Sequence, residues 1–353
     1  MTNCTLNPIR VLVVDDSAFM RTALRRMIES DPALQVIATA ADGVEGCQKA
    51  EELRPDVITM DIEMPRMTGL EALSRIMESV PCPVIMVSSL THAHAEATIE
   101  ALSRGAYDFL SKDLSYASLD IVRIKTDLVA KCKAAAGARR RHSSPVRIAP
   151  PPRLPLQTSH GFVAPRIVCI GTSTGGPKAL QRILPMLPSK LPAPVAIVQH
   201  MPPGFTAPFA RRLDSLCSIH VKECEPNEEL LPSVIYIAPA GQHLRVVRRG
   251  SGIYASLSLS PADLPHIPSV DVLMLSAAEQ FGRQAMGVIM TGMGNDGEQG
   301  MTAIHRAHGY TVGEDEESCS VYGMPKACAD SGVLASVLPL DAIPSEIERR
   351  LNA

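Results

Sequence analysis

Short apolar runs recur along the front of the chain, and a stretch with helical spacing follows each of them. The runs are Ile9–Val14, Val36–Ala40, Val57–Met60 and Val84–Val87. Ala18–Ile28 puts Phe19, Ala23 and Met27 on one side of a helix, and Val44–Leu53, Leu70–Ser79, Ala95–Arg104 and Leu119–Lys133 also read as helical. Continuous apolar strands alternating with amphipathic helices predict a parallel sheet covered on both faces. The alternation breaks after residue 130. Lys131, Lys133, Arg139, Arg140, Arg141, Arg147 and Arg153 follow with no acid between them, and Pro145, Pro150, Pro151, Pro152 and Pro155 interrupt any helix. From Pro165 the pattern returns. Ile167–Ile170, Val195–Val198, Val234–Ile237 and Val288–Met290 are buried-strand candidates, with helices near Pro177–Leu187, Pro208–Leu216, Val270–Phe281 and Gly297–Ala307. Arg245–Ser260 alternates polar and apolar residues and reads as a hairpin turning near Gly250 and Gly252. The fold class expected is therefore α/β, two domains, each a mainly parallel doubly wound sheet. The boundaries expected are 8–130, a basic Pro-rich linker at 131–164, and 165–351.

Composition narrows the chemistry. A chain of 353 residues, 46% hydrophobic and 20% charged, fits a soluble protein with two cores. Aromatics make up 3% and Trp is absent, which disfavours stacking platforms for sugars or single-stranded nucleic acid. A net charge of −3 gives no field toward nucleic acid or membrane. The nine Cys form no C-x-x-C pair, so they read as reduced thiols of a cytoplasmic protein, not as a disulfide framework or zinc site. Met1–Arg10 lacks the apolar stretch of a signal peptide, and no run is long enough to cross a bilayer. No nucleic-acid partner and no membrane insertion are expected.

In the front domain, acids gather where ligands of parallel sheets bind, at the carboxyl ends of strands. Asp15 and Asp16 follow the first strand, and Asp61 follows the strand ending at Met60. Clustered carboxylates need a cation, and oxygen ligands with open water positions suit Mg²⁺. Ser88 and Lys112, also at strand ends, complete a phosphate-sized site. Taken singly, each would be an ordinary loop or surface residue. Together, Val13-Val14-Asp15-Asp16-Ser17, Met60-Asp61-Ile62-Glu63-Met64-Pro65, Gly69, Ser88 and Gly105-Ala106-Tyr107-Asp108-Phe109-Leu110-Ser111-Lys112 resemble the response-regulator receiver family. The resemblance implies that Asp61 is the phospho-acceptor, that Asp15 and Asp16 help Asp61 hold Mg²⁺, that Ser88 and Lys112 contact the phosphoryl group, and that Phe109 is the switch aromatic. Asp113 stands where the family usually has Pro, which puts the usual cis turn in doubt.

In the rear domain, Ile167–Ile170 leads into Gly171-Thr172-Ser173-Thr174-Gly175-Gly176, and Pro177 suits a first helical turn. A strand, a glycine-flanked serine and a helix make a nucleophile elbow. A phosphate-binding loop is excluded, because Pro177 separates Gly176 from Lys178. His200 ends the strand Val195–Val198, and Asp296 lies in the glycine-rich loop after Val288–Met290. A hydroxyl, an imidazole and a carboxylate are thus predicted on one edge of a sheet. Ser173 would attack, His200 would take and return the proton, and Asp296 would orient the imidazole. The order Ser, His, Asp differs from the Ser, Asp, His of α/β-hydrolases. A histidine at a strand end or an aspartate before glycine is, alone, usually a plain loop or cap residue. The pairs His92/His94 and His305/His308 lack further ligands at metal spacing and read as surface histidines.

Four segments carry a second resemblance: Ile170-Gly171-Thr172-Ser173-Thr174-Gly175-Gly176-Pro177, Gln199-His200-Met201-Pro202-Pro203-Gly204-Phe205-Thr206, Thr291-Gly292-Met293-Gly294-Asn295-Asp296-Gly297 and Val321-Tyr322-Gly323-Met324-Pro325-Lys326-Ala327. They are similar to the CheB family of chemotaxis protein-glutamate methylesterases, and the likeness covers nearly the whole chain. It implies a flavodoxin-like receiver followed by a Rossmann-like methylesterase domain. It also implies demethylation of glutamyl methyl esters on chemoreceptors, deamidation of selected glutamines, and activation by phosphorylation from a chemotaxis histidine kinase. Thr174 and Met293 are the implied oxyanion residues, and the esterase reaction is expected to need no cofactor. Two other readings stay open: a receiver-linked hydrolase of small molecules, and a non-enzymatic output module. No basic recognition helix favours the latter as a DNA binder.

Overall fold

The computed structural model describes residues 7–89, 92–112, 118–142, 164 and 166–352, with only the backbone described at 92–93, 118–123 and 138–142. The chain divides into two compact units between Arg141 and His142.

The front unit strictly alternates strand and helix: β1 (Ile9–Val14), α1 (Ala18–Ile28), β2 (Leu34–Ala40), α2 (Gly43–Leu53), β3 (Val57–Asp61), α3 (Gly69–Ser79), β4 (Val84–Ser88), α4 (His92–Ser103), β5 (Asp108–Ser111) and α5 (Ser118–His142). The sheet order is β2-β1-β3-β4-β5, and every pair is parallel. Central β3 and β4 are buried at every residue, which is why they appear in sequence as unbroken apolar runs. Helix starts follow capping chemistry. Ser17 accepts from Met20 N, Asp42 from Val44 N and Glu45 N, and Thr68 forms a capping box with Glu71. Gly69 is required because a Cβ there would collide with the Asp61 carbonyl.

Helix α5 corrects the boundary expected at 131. It continues to His142, because Leu128, Cys132, Ala135 and Ala136 repeat at helical spacing and are buried in the front core. Lys131 belongs to that helix, where its ammonium pairs with Asp108 at 2.9 Å. The Pro-rich remainder of the expected linker and Asp113 lie outside the described residues.

The rear unit contains β6 (Ile167–Thr172), α6 (Gly176–Ile183), β7 (Val195–Gln199), α7 (Thr206–Leu216), β8 (His220–Glu223) and β9 (Val234–Ile237). Then come β10 (His243–Arg249), β11 (Gly252–Ser258), α8 (Val270–Phe281), β12 (Ala285–Ile289), α9 (Glu298–Arg306), β13 (Tyr310–Glu314), α10 (Met324–Asp330), β14 (Ser336–Leu338) and α11 (Ile343–Leu351). Seven parallel strands run β14-β13-β12-β6-β7-β9-β8. The hairpin β10-β11 forms as its alternation predicts, and lays Leu244, Val246, Ile253 and Ala255 on the core beside Leu273, Met274 and Ala277 of α8. From β6 the chain first builds toward β7 and later returns to β12 on the other side. That reversal opens a crevice at the carboxyl ends of β6, β7 and β12, the usual ligand position in such sheets.

Candidate active site and phosphoryl site

The front unit brings its predicted residues to one rim. Asp15 is fully buried after β1, Asp16 beside it is exposed, and Asp61 ends β3. Their carboxylate oxygens lie within 4.8 Å of one another, and no other such cluster of His, Cys, Asp or Glu occurs among the described residues. The Lys112 ammonium sits between two of them, 2.9 Å from Asp15 Oδ2 and 2.6 Å from Asp61 Oδ2. Burial pushes the Asp61 carboxyl above its ordinary range, although Lys112 pulls the other way. Burial also opposes charge on Lys112, but Asp61 and Asp15 prevail and hold its ammonium protonated. Three oxygen ligands of mixed exposure fit a hard cation that keeps waters. The Ser88 hydroxyl accepts from Thr98 Oγ1 of α4 at 2.9 Å and donates to the Ser89 carbonyl at 3.2 Å. Phe109 is buried, with the Lys131 ammonium 5.9 Å from its ring. His94 lies 3.2 Å from Glu63.

In the rear unit, Ser173 directly follows β6. Its N–H donates to the Thr291 carbonyl at 3.0 Å, and its carbonyl accepts from Gly176 N and from Gln199 Nε2. Gly175 makes the turn with φ of +77°, where a side chain would strike Ser320. His200 follows β7. Its N–H donates to the Thr172 carbonyl, and Gln199 Nε2 also donates to the His200 carbonyl. Buried Gln199 thus ties the serine turn to the histidine turn.

Asp296 sits before α9 and faces the start of α8. Val270 N donates to its Oδ2 at 2.7 Å, Asp271 N to its Oδ1 at 3.0 Å, and the Ser269 hydroxyl to Oδ1 at 2.8 Å. The same Ser269 oxygen accepts from Val272 N as the cap of α8. A helix N-terminus favours an anion, so α8 holds this carboxylate ionised. His200 Nε2 lies 2.8 Å from Asp296 Oδ2. Burial opposes the charge on Asp296, but the imidazole and these N–H donors win and hold the carboxyl well below its usual range. With Nε2 committed to Asp296, the nitrogen left for substrate chemistry is Nδ1, which is buried and has no hydrogen-bond partner. The structure therefore brings His200 and Asp296 into direct contact. It leaves the Ser173 hydroxyl, at the neighbouring strand end, unbonded to His200 Nδ1.

The remaining wall is the Thr291–Asp296 loop. Thr291 N donates to Glu314 Oε2 at 2.8 Å, and Thr291 Oγ1 donates to the Thr174 carbonyl at 2.9 Å. Burial pushes the Glu314 carboxyl up, against the pull of the Thr291 N–H and the Ser318 hydroxyl. Thr291 accordingly joins the loops carrying Thr174 and Met293. Sequence reasoning missed three contributors. Gln199 showed as a polar residue ending an apolar strand, and Ser269 as a serine before a helix start. His266 lies in the stretch between β11 and α8, and its ring stacks on His200 with centroids 4.0 Å apart at 14°. That stretch carries no sequence motif.

Comparison with known proteins settles the family. Residues 168–347 match the CheB methylesterase family, and residues 11–122 match the response regulator receiver domain. The chain belongs to the CheB methylesterase family. A relative from Nitratidesulfovibrio vulgaris, named protein-glutamate methylesterase/protein-glutamine glutaminase 2, is 48% identical over 96% of this chain and 98% of its own. A Pyrococcus abyssi protein named protein-glutamate methylesterase/protein-glutamine glutaminase is 45% identical over 98% of this chain and 94% of its own. The crystal structure of the Thermotoga maritima CheB methylesterase catalytic domain superposes with a TM-score of 0.52 at 42% identity. It covers 53% of this chain and 99% of that one, which identifies the rear unit with the CheB methylesterase fold. No helix among the described residues is long and apolar enough to cross a membrane.

Proposed function

We propose that the chain is a phosphorylation-activated protein-glutamate methylesterase that removes methyl groups from glutamyl esters of chemoreceptors. The observation that carries the catalytic part is the His200–Asp296 contact at 2.8 Å, with the carboxylate anchored by α8 and Nδ1 left over. Ser173 attacks the ester carbonyl, and His200 Nδ1 takes the hydroxyl proton. The tetrahedral intermediate collapses to an acyl-serine as that proton goes to the leaving methoxide, releasing methanol. Water then repeats the sequence and frees the glutamate and the serine. Asp296 fixes the tautomer with the proton on Nε2 and stabilises the imidazolium. The backbone N–H groups of Thr174 and Met293 are the oxyanion donors, and among the described residues neither has a protein acceptor. A primary amide offers the same carbonyl with ammonia leaving, and the relatives' names support this second activity on glutamine.

In the front unit Asp61 accepts the phosphoryl group, from a chemotaxis histidine kinase. Asp15, Asp16 and Asp61 would hold Mg²⁺, which would supply charge neutralisation for the transfer. Lys112 adds a fixed positive charge, Ser88 turns from Thr98 to the phosphoryl oxygens, and Phe109 follows that movement.

Methanol release from methylated receptor is the direct test. Ser173→Ala should lower it by about a million-fold, as loss of a triad nucleophile does. Residual activity within tenfold of the wild type would remove Ser173 from the mechanism. Turnover of small esters with none of receptor methyl groups would favour a small-molecule hydrolase.

A further inference from the structure

We infer that His266 is a positioning residue of the esterase reaction, holding the His200 ring in the plane from which Nδ1 meets the serine. The inference rests on the assignment of His200 as the base. A single hydrogen bond, Nε2 to Asp296, fixes where the imidazole is attached but leaves the ring free to tilt about that bond. The χ2 torsion of histidine is broad, so the side chain has no strong preference of its own. Nδ1 has no partner to restore the plane. The face of the ring is where a restraint can act, and there His266 lies nearly parallel, 4.0 Å away.

A stack restrains only if its other half is fixed. His266 itself is exposed, in the stretch between β11 and α8. That stretch is pinned from inside by His243, which is fully buried at the start of β10. The Nε2–H of His243 donates to the Pro261 carbonyl at 2.8 Å, and its Nδ1 accepts from Ser269 N at 3.1 Å. Both nitrogens are used in the neutral form, one donating and one accepting. Gly241 N adds a third tie, to the Ile267 carbonyl at 3.1 Å. Residues on both sides of His266 are therefore anchored to the start of β10 and the turn just before it. Ser269, bonded to His243 through its N–H, also donates its hydroxyl to Asp296. One buried histidine thus sets the position of both groups that orient His200: the carboxylate at its edge and the ring on its face.

His266→Ala, His266→Phe, Ser173→Ala and the wild type should be compared in full-length protein for kcat and KM on methylated receptor and for melting temperature. Misplacement of a catalytic group typically costs up to a hundredfold in rate. His266→Ala should lower kcat by about tenfold to a hundredfold with KM within about twofold. His266→Phe keeps a flat ring on the imidazole and should recover most of that loss. Three results would overturn the inference: unchanged kcat in His266→Ala, a rise in KM alone, or His266→Phe no better than the alanine variant. A Ser173→Ala protein that keeps its activity would instead remove the triad on which the inference rests, so the two failures are distinguishable.

Discussion

Asp296 shows how far a single residue can be read from sequence. Its place in a glycine-rich loop at a strand end made it a candidate acid. Its donors, Ser269, Val270 and Asp271, lie 25 to 27 residues earlier and were invisible until the fold brought α8 to it. Asp296→Asn replaces an all-acceptor group with one that must aim an NH₂ at a donor. Activity should fall by up to about 10⁴-fold while the protein stays folded, as a wrong histidine tautomer predicts. Asp271 yields a pH prediction. Burial and the facing Asp296 carboxylate push its carboxyl from 3.8 up to about 6, while the Gly300 N–H draws it back. Between those values the folded protein holds a proton that the unfolded chain has released. Stability therefore falls as pH rises through about 4 to 6. Asp271→Asn keeps an oxygen for Gly300 and removes the repulsion. Its melting temperature should exceed the wild type's at pH 7, and the gap should close toward pH 4. A gap independent of pH would remove Asp271 as its cause.

Elements were more legible than their ends. Buried strands such as β1 and β9, and helices such as α1 and α8, appear in the sequence with their true limits because apolar runs and caps mark them. The first and last strands of the rear unit's edges did not. His220–Glu223 and Ser336–Leu338 are short and half-exposed, so no apolar run announces them. Helix α5 runs past the boundary expected at 131 because one face of the basic stretch continues the core through Ala136, and the Lys and Arg residues around that face mask it in the sequence. The start of α8 does double duty, and that separates two variants. Ser269→Ala removes both the helix cap and the hydroxyl on Asp296. It should cost about 1 kcal/mol, near 2–4 °C in melting temperature, together with a loss of kcat. Ser269→Gly still caps a helix nearly as well, so its melting temperature should return close to the wild type while kcat stays low. Full recovery of kcat with glycine would mean that the hydroxyl contact to Asp296 is catalytically idle.

At the scale of the molecule, the proposed function divides the chemistry between the two units, phosphoryl transfer in the front and acyl hydrolysis in the rear. The front site is charged at rest: Lys112 already spans Asp15 and Asp61, and Ser88 is bonded to Thr98 of α4. On the proposed function, a phosphoryl group on Asp61 would add acceptors that compete for both Lys112 and Ser88, and its arrival would rearrange the bond to α4. If that rearrangement controls the esterase, three proteins should separate. The full chain should release methanol faster when given a small phosphodonor and Mg²⁺. Asp61→Asn should keep the basal rate and lose the increase. A fragment starting near residue 164, checked for a cooperative melting transition, should be indifferent to the phosphodonor. The size of the increase measures the switch, because each tenfold corresponds to about 1.4 kcal/mol of differential stability between the states, and complete reversal from 1:99 to 99:1 needs about 5.5 kcal/mol. A fragment slower than the unphosphorylated chain would show that the front unit supports the esterase at rest, and inhibition released by phosphorylation would then be the wrong description.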